Sequence, residues 1–317
     1  MRTPEKLAMR EAFALAAIEM ADQVPNMVVL DADVSKSTKS TMFAQAHPQR
    51  FLNIGIAEQN MVAIAAGLAA AGMVPVVNTF SMLLSMRALD QVRQSVAYPR
   101  LNVKIMGHYA GYSAGNEGAS HHAIEDMGII RTIPNMTLIA PCDVTEAKEA
   151  FKASVLYDGP VYLRLSRNPV PQVFESPRPF RIGEGYEMRA GSDLTFVTTG
   201  IMLTRALDAA EELARRGIEA RVVAMPTVKP LDRALVERAA RETGAIVTVE
   251  EHNIINGLGS AVAEALVETV PVPMERVGIA DVFAESGDFF ELLDKYGMGV
   301  PNLVAAAERV LRRKAGA

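Results

Sequence analysis

The chain has 317 residues, is 50% hydrophobic and 22% charged, and carries a net charge of -5. That length suits about two domains, and that composition supports a large core and excludes wholesale disorder. The acidic balance, with Arg312-Arg313-Lys314 as the basic cluster, excludes nucleic acid as the main partner. The single cysteine, Cys142, leaves no intrachain disulfide and no cysteine-based zinc site. Met1 to Lys6 lacks a signal-peptide apolar core. There is no apolar run of about 18 residues that could span a bilayer. A cytoplasmic location without a membrane partner is expected.

Short apolar runs alternate with helical patterns, which predicts an α/β protein with mostly parallel sheets. Thr3 can cap a first helix, with Pro4 at its first position, running to about Asp22. Met27 to Leu30 reads as a buried strand ending at Asp31-Ala32-Asp33, and Ala57 to Ala71 as a helix. Strands follow at Val74–Thr79, Val103–Met106, Thr137–Ala140 and Val161–Leu165, with helices at Met86–Ala97 and Val144–Leu156.

Four prolines between Asn168 and Arg181 disfavour a helix or central strand there. The pattern then restarts. Strands are predicted at Leu194–Thr198, Ala220–Ala224, Ile246–Glu250 and Arg276–Ile279. Helices are predicted at Met202–Arg216, Arg233–Thr243 and Ser260–Glu268, with a last one opening at Pro301. This gives a first domain over 1–167, a linker over 168–190 and a second domain over 191–317, each with a parallel or mixed sheet.

Three constellations can carry chemistry. Glu58 opens a helix that is apolar on every face after Asn60, so the helix is expected to be buried all round. Its carboxylate is either a helix-dipole partner or a buried group facing a ligand. Phe80 to Met86 follows a strand and reads as core, or as an apolar ring pocket that Leu83 and Met86 would line. The segment from Gly107 to His122 is rich in glycine, holds three of the five histidines and follows a strand end, where open α/β sheets bind ligands. It suits a substrate loop. A Ser/His/Asp triad through Asp126 is disfavoured because there is no nucleophile elbow. Adjacent histidines also make a zinc site unsuitable.

These segments, with Val29-Leu30-Asp31-Ala32-Asp33, Ile133-Pro134-Asn135-Met136-Thr137, Arg164-Leu165-Ser166-Arg167 and Val249-Glu250-Glu251-His252, appear in a telling order and spacing. The chain resembles the C-terminal half of a thiamine-diphosphate transketolase, comprising the pyrimidine-binding and C-terminal domains. The resemblance implies roles by position. Glu58 would bond N1' of the cofactor's aminopyrimidine, favouring the imino tautomer that takes the thiazolium C2 proton. Phe80 would stack on the pyrimidine, and Asp33 would lie close to the cofactor. His121 would contact sugar hydroxyls. Arg10, Ser37 and Arg167 would hold a sugar phosphate, for which the guanidinium fork is suited.

Three positions depart from that family pattern. Glu117 stands where an aspartate reads a substrate hydroxyl, Tyr109 where a substrate histidine is usual, and Leu83 where a second pocket aromatic is common. His108, adjacent to Tyr109, could substitute after a one-residue shift. His121, with His108 or Tyr109, would then handle hydroxyl protons. The family's diphosphate and metal signature, Gly-Asp-Gly followed by a distant asparagine, does not occur; Ser286-Gly287-Asp288-Phe289 is the nearest fragment.

The expectation is therefore the B subunit of a split transketolase. It would move a two-carbon ketol unit from a ketose phosphate to an aldose. A separate A subunit would hold the diphosphate with Mg2+ or Ca2+ in an A2B2 assembly, and the second domain would serve dimerisation. The alternatives are the beta subunit of a 2-oxo-acid dehydrogenase and a scaffold subunit without chemistry. Deoxyxylulose-phosphate synthase shares the Gly-Ile-Ala-Glu-Gln motif but is normally one long chain.

Overall fold

The structure is a computed structural model that describes residues 7–316. The expected Thr3 cap lies outside those residues. The first unit comprises α1 (Met9–Gln23), β1 (Met27–Asp31), α2 (Ser35–Thr38), α3 (Thr41–Ala46), β2 (Phe51–Asn53) and α4 (Glu58–Ala70). It continues through β3 (Val74–Phe80), α5 (Leu89–Gln91), β4 (Lys104–His108), α6 (Asp126–Thr132), β5 (Thr137–Ile139), α7 (Val144–Leu156) and β6 (Val161–Leu165). The second unit comprises β7 (Tyr186–Arg189), β8 (Leu194–Thr198), α8 (Met202–Ala214), β9 (Ala220–Ala224), β10 (Thr227–Lys229), α9 (Arg233–Thr243) and β11 (Ile246–Asn253). It ends with α10 (Leu258–Glu268), β12 (Met274–Ile279), α11 (Phe289–Leu293) and α12 (Val300–Ala315).

Two sheets result, in the orders β10-β5-β6-β4-β3-β1-β2 and β12-β11-β8-β9-β7. All pairs are parallel except β10 with β5 and β7 with β9. The central strands β1, β4, β6 and β8 are buried along their whole length, as sheets covered on both faces require. Among the described residues no helix is long and apolar enough to cross a membrane.

The structure redraws several expectations. The predicted linker over 168–190 contains an ordered edge strand, β7, whose Tyr-Glu-Met-Arg run alternates apolar and polar residues but is only four residues long and half-exposed. The second unit also reaches back: β10 completes the edge of the first sheet, although Val228-Lys229-Pro230 reads locally as a turn. The predicted helix over Met86–Ala97 is three pieces, α5 between two π-helical turns at Leu83–Arg87 and Val92–Ala97. Ser85 Oγ donates to the Ser81 carbonyl at 2.9 Å at the first of these, the kind of local bond that competes with a helical ladder. Nor is α4 buried all round, because Ala63, Gly67 and Ala70 form an open apolar face in the single chain.

The proline-rich segment is tied down by Asp143. Its Oδ1 caps α7 by accepting from the Glu146 amide, and its Oδ2 accepts from the amides of Val173 and Phe174 at 2.8 Å. One turn on, Glu146 is buried. Its Oε2 accepts from the Cys142 amide at 2.7 Å while its Oε1 has no partner.

A buried ionic cluster locks the two units together. Arg164 on β6 donates through Nε to both Asp126 oxygens, at 3.2 and 3.0 Å. Its Nη2 donates to the Glu251 and Ala123 carbonyls, and Nη1 lies 3.5 Å from Glu251 Oε2. The other Glu251 oxygen accepts from the Tyr112 amide at 2.8 Å, and Tyr162 Oη donates to Asp126 at 3.0 Å. Burial pushes Glu251 up to about 7, against the pull of Arg164.

Two predictions follow from these buried charges. Arg164→Met leaves two carboxylates facing each other without a cation. It is expected to lower stability by about 3–5 kcal/mol in urea denaturation; a loss under about 1 kcal/mol would show that the cluster is not what holds the units. For Glu146, burial raises the pKa from 4.5 to about 7. Between those values the folded chain keeps a proton that the unfolded chain has released, so stability falls as pH rises through that window. The wild type should therefore lose about 2 kcal/mol relative to Glu146→Gln between pH 5.5 and pH 8. Parallel pH profiles would refute the assignment.

Candidate functional site

The carboxyl ends of the parallel strands converge. The pairing aligns Asp31 of β1 with Asn78 of β3, and His108 of β4 with both Phe80 of β3 and Leu165 of β6. Side chains that leave these ends share one edge of the sheet, the usual place for ligands in such folds.

The loop after β1 is organised by Asp31. Its buried carboxylate accepts from the Val34 amide at 2.7 Å and from the Thr38 and Ser40 hydroxyls at 2.8 Å. Burial still pushes Asp31 up, with the three hydrogen bonds opposing. The result places Ser37 so that its carbonyl accepts from Arg10 Nη1 at 3.0 Å. Asp33 is exposed, takes a left-handed φ of 65° and accepts from Asn53 Nδ2 at 2.9 Å.

Tyr109, 3% exposed, is the centre of a cluster of side chains at this edge. Its φ of 60° is unusual for a bulky residue and marks strain held by its surroundings. Arg10 Nη1 donates to its hydroxyl at 3.2 Å, and the Arg167 guanidinium lies 5.0 Å from its ring centroid. Phe80 packs on Tyr109 at 4.4 Å and on His121 at 5.9 Å between ring centroids. Arg167 also pairs with Glu117 at 3.4 Å. The structure thus brings Arg10, Ser37, Phe80, Tyr109, Glu117, His121 and Arg167 into one cluster. The Arg10 Nε–H is buried there without a partner. Two guanidinium groups, an imidazole and a carboxylate around the buried Tyr109 and the half-exposed Phe80 suit a polyhydroxylated ligand with an anionic end.

His108 does not stand in this cluster, so its expected substitution for Tyr109 is corrected. It is buried, shares a hydrogen bond with Asn78 Oδ1 at 3.1 Å and packs edge-on against Phe13 at 5.3 Å. Burial, with Arg10 adding to it, lowers its pKa to about 3, so it stays neutral. His108 is the last residue of β4, whereas Tyr109 lies just past it with a left-handed φ that turns its side chain away from the strand's course.

Glu58 is 2% exposed at the start of α4. The carboxylate meets Arg87 Nη1, at 3.0 and 3.2 Å from its two oxygens. Arg87 ends the π-helical turn that begins three residues after β3, which ties Glu58 to the Phe80 edge. In the same turn Leu83 is buried and Met86 is exposed. Arg87 carries no signal in the sequence, since it lies within an ordinary amphipathic stretch.

The glycine-rich loop over 107–122 is held from behind by the second unit. Gly111, with φ of 58°, lies so close to Glu251 that a Cβ there would come within 2.2 Å of its carboxyl carbon. Tyr112 packs against Tyr296 at 5.4 Å, and Gly287 donates to the Gly115 carbonyl at 3.4 Å. Asp288, the nearest fragment to a diphosphate signature, instead caps α11 by accepting from the amides of Phe290 and Glu291. Among the described residues no cluster of His, Cys, Asp and Glu could hold a metal ion.

Comparison with known proteins agrees with this geometry. Residues 5–172 match the transketolase pyrimidine-binding domain, and residues 183–303 match the transketolase C-terminal domain. The chain is 42% identical, over 96% of its length and 95% of the relative's, to the 6-deoxy-6-sulfo-D-fructose transketolase subunit SqwH of Clostridium sp. (strain MSTE9). It is 44% identical to a putative transketolase C-terminal section from Methanocaldococcus jannaschii, over 92% of each chain. A solved split-gene transketolase, described as an inactive β4 tetramer, superposes with a TM-score of 0.91 at 46% identity, covering 98% of this chain and all of that one. The chain belongs to the transketolase family, and it carries that family's pyrimidine-binding and C-terminal domains in the arrangement of its split-gene subunits.

Proposed function

We propose that this chain is the B subunit of a two-subunit transketolase that moves a two-carbon ketol unit from a ketose with an anionic far end to an aldose. The observation that carries the reading is a half-built site. The pyrimidine side is present as a buried carboxylate beside a half-exposed aromatic edge. The sequence carries no Gly-Asp-Gly, and among the described residues no group of three or more His, Cys, Asp or Glu could hold a metal ion.

The residues present fit the ring end of thiamine diphosphate. Glu58 offers a nearly buried acceptor, and Phe80 offers a ring whose face is only partly covered. When bound, the cofactor supplies a carbanion able to attack a ketone. The chain's own part is to hold the aminopyrimidine with Glu58, flank it with Phe80 and Asp33, and orient the sugar with His121 and Glu117. Arg10 and Arg167, with Ser37 and Tyr109, would hold the anionic end. The unpartnered Arg10 Nε–H supports that assignment. So does the sulfonated sugar named for the clostridial relative.

The partner A subunit would supply the diphosphate and Mg2+ or Ca2+ site, and A2B2 is the assembly we expect in a cytoplasmic enzyme. The open face of α4, with Ile56, Met86 and Tyr98 exposed nearby, gives such an assembly an apolar surface to cover. The domain boundaries we favour are a pyrimidine-binding unit to about residue 167 and a C-terminal unit that starts at β7 rather than at the expected residue 191.

The direct test mixes this chain with an A-type subunit carrying Gly-Asp-Gly, thiamine diphosphate and magnesium, and measures ketol transfer. Activity is expected only in the mixture. Full transfer by the single chain, or a preference for 2-oxo-acid decarboxylation, would sink the reading. In the assembled enzyme Glu58→Gln should lower kcat at least about 100-fold, the scale of a lost acid–base group, without loss of folding. Retained turnover would remove Glu58 from its role.

A further inference from the structure

The Glu58 carboxylate has a partner that the family pattern does not require. Arg87 Nη1 bridges both of its oxygens. A nearly buried carboxylate without a partner is costly, so this contact stabilises the chain without cofactor. The arginine itself is 51% exposed, so its head can turn into water at little cost. It hangs from the end of a π-helical turn, a feature often placed at functional sites.

We propose that Arg87 is a positioning residue that acts as a placeholder for the cofactor ring. It holds Glu58 in its buried orientation before assembly, then swings outward when the aminopyrimidine nitrogen takes the same oxygens. This rests on the thiamine-diphosphate reading of Glu58. Arg87 and the ring compete for one acceptor, so the contact that stabilises the empty site weakens cofactor binding by a similar factor.

The test is a calorimetric titration of magnesium thiamine diphosphate into the chain assembled with its A-type partner. Arg87→Gln removes the competitor and should lower Kd roughly three- to tenfold, the scale of a half-exposed ion pair. Arg87→Lys keeps a charge but loses the bridging geometry, and should fall between. Two controls separate competition from general loosening of the fold. In a Glu58→Gln background the Arg87 substitution should leave Kd unchanged. An analogue with CH in place of N1' should bind wild type and Arg87→Gln equally.

An unchanged or raised Kd for Arg87→Gln overturns the proposal, a raised value meaning that Arg87 holds the cofactor directly. Tightening that persists with the N1'-lacking analogue also overturns it. If the assembled wild type binds no cofactor, the underlying reading of Glu58 fails as well. Binding by the wild type with an unchanged variant defeats the placeholder alone.

Discussion

Arg164 is the point on which the rest of the structure depends. Its guanidinium is buried between two carboxylates and two backbone carbonyls, with one carboxylate from each half of the chain. Desolvating three charged groups is costly, and their attraction offsets that only while every group keeps its partner. The requirement fixes geometry. Asp126 must open α6 where it does, β11 must run on through Glu251, and the loop at Gly111 must lie against that carboxyl. The second unit is therefore part of the site's foundation. The amide of Tyr112, three residues from the strained Tyr109, donates to Glu251. A pocket residue held at positive φ needs such backing.

The pocket and the ring site use different physics. Around Tyr109 the groups are half exposed and carry both signs of charge, which suits a hydrated ligand that arrives and leaves each turnover. Around Glu58 the carboxylate is out of water and committed to one partner at a time. A group of that kind has to be kept satisfied before its ligand comes. The nearest cation on the neighbouring turn does this.

Much of the fold could be read locally. Strand and helix periods place β6, β8, β9, α7 and α9 with the boundaries that the structure shows. Glu58, the glycine-rich loop, Arg10 and Arg167 could be singled out in the sequence, because their residue types and spacing resemble a family pattern. Elements whose partners lie far along the chain were not visible. Thr227–Lys229 is a strand only because Leu138 and Ile139 present an open edge to it. Tyr186–Arg189 is a strand only because β9 offers one. His108 and Tyr109 are adjacent candidates in the sequence, and the end of β4 with the left-handed turn at Tyr109 separated a packed neutral imidazole from the centre of the cluster.

By itself the sequence determined that two α/β units follow one another, that their central strands are buried, and that a carboxylate opens a helix that is apolar after Asn60. These properties reside in residue order, where periodicity and cap chemistry act over a few positions. The tertiary structure decided which charges meet. Glu58 finds Arg87 across 29 positions, and Arg164 finds Glu251 across 87. It also decided that one side of α4 stays open in the single chain. Such outcomes depend on how sheets and turns pack, since a buried charge accepts whatever partner the packing brings within reach.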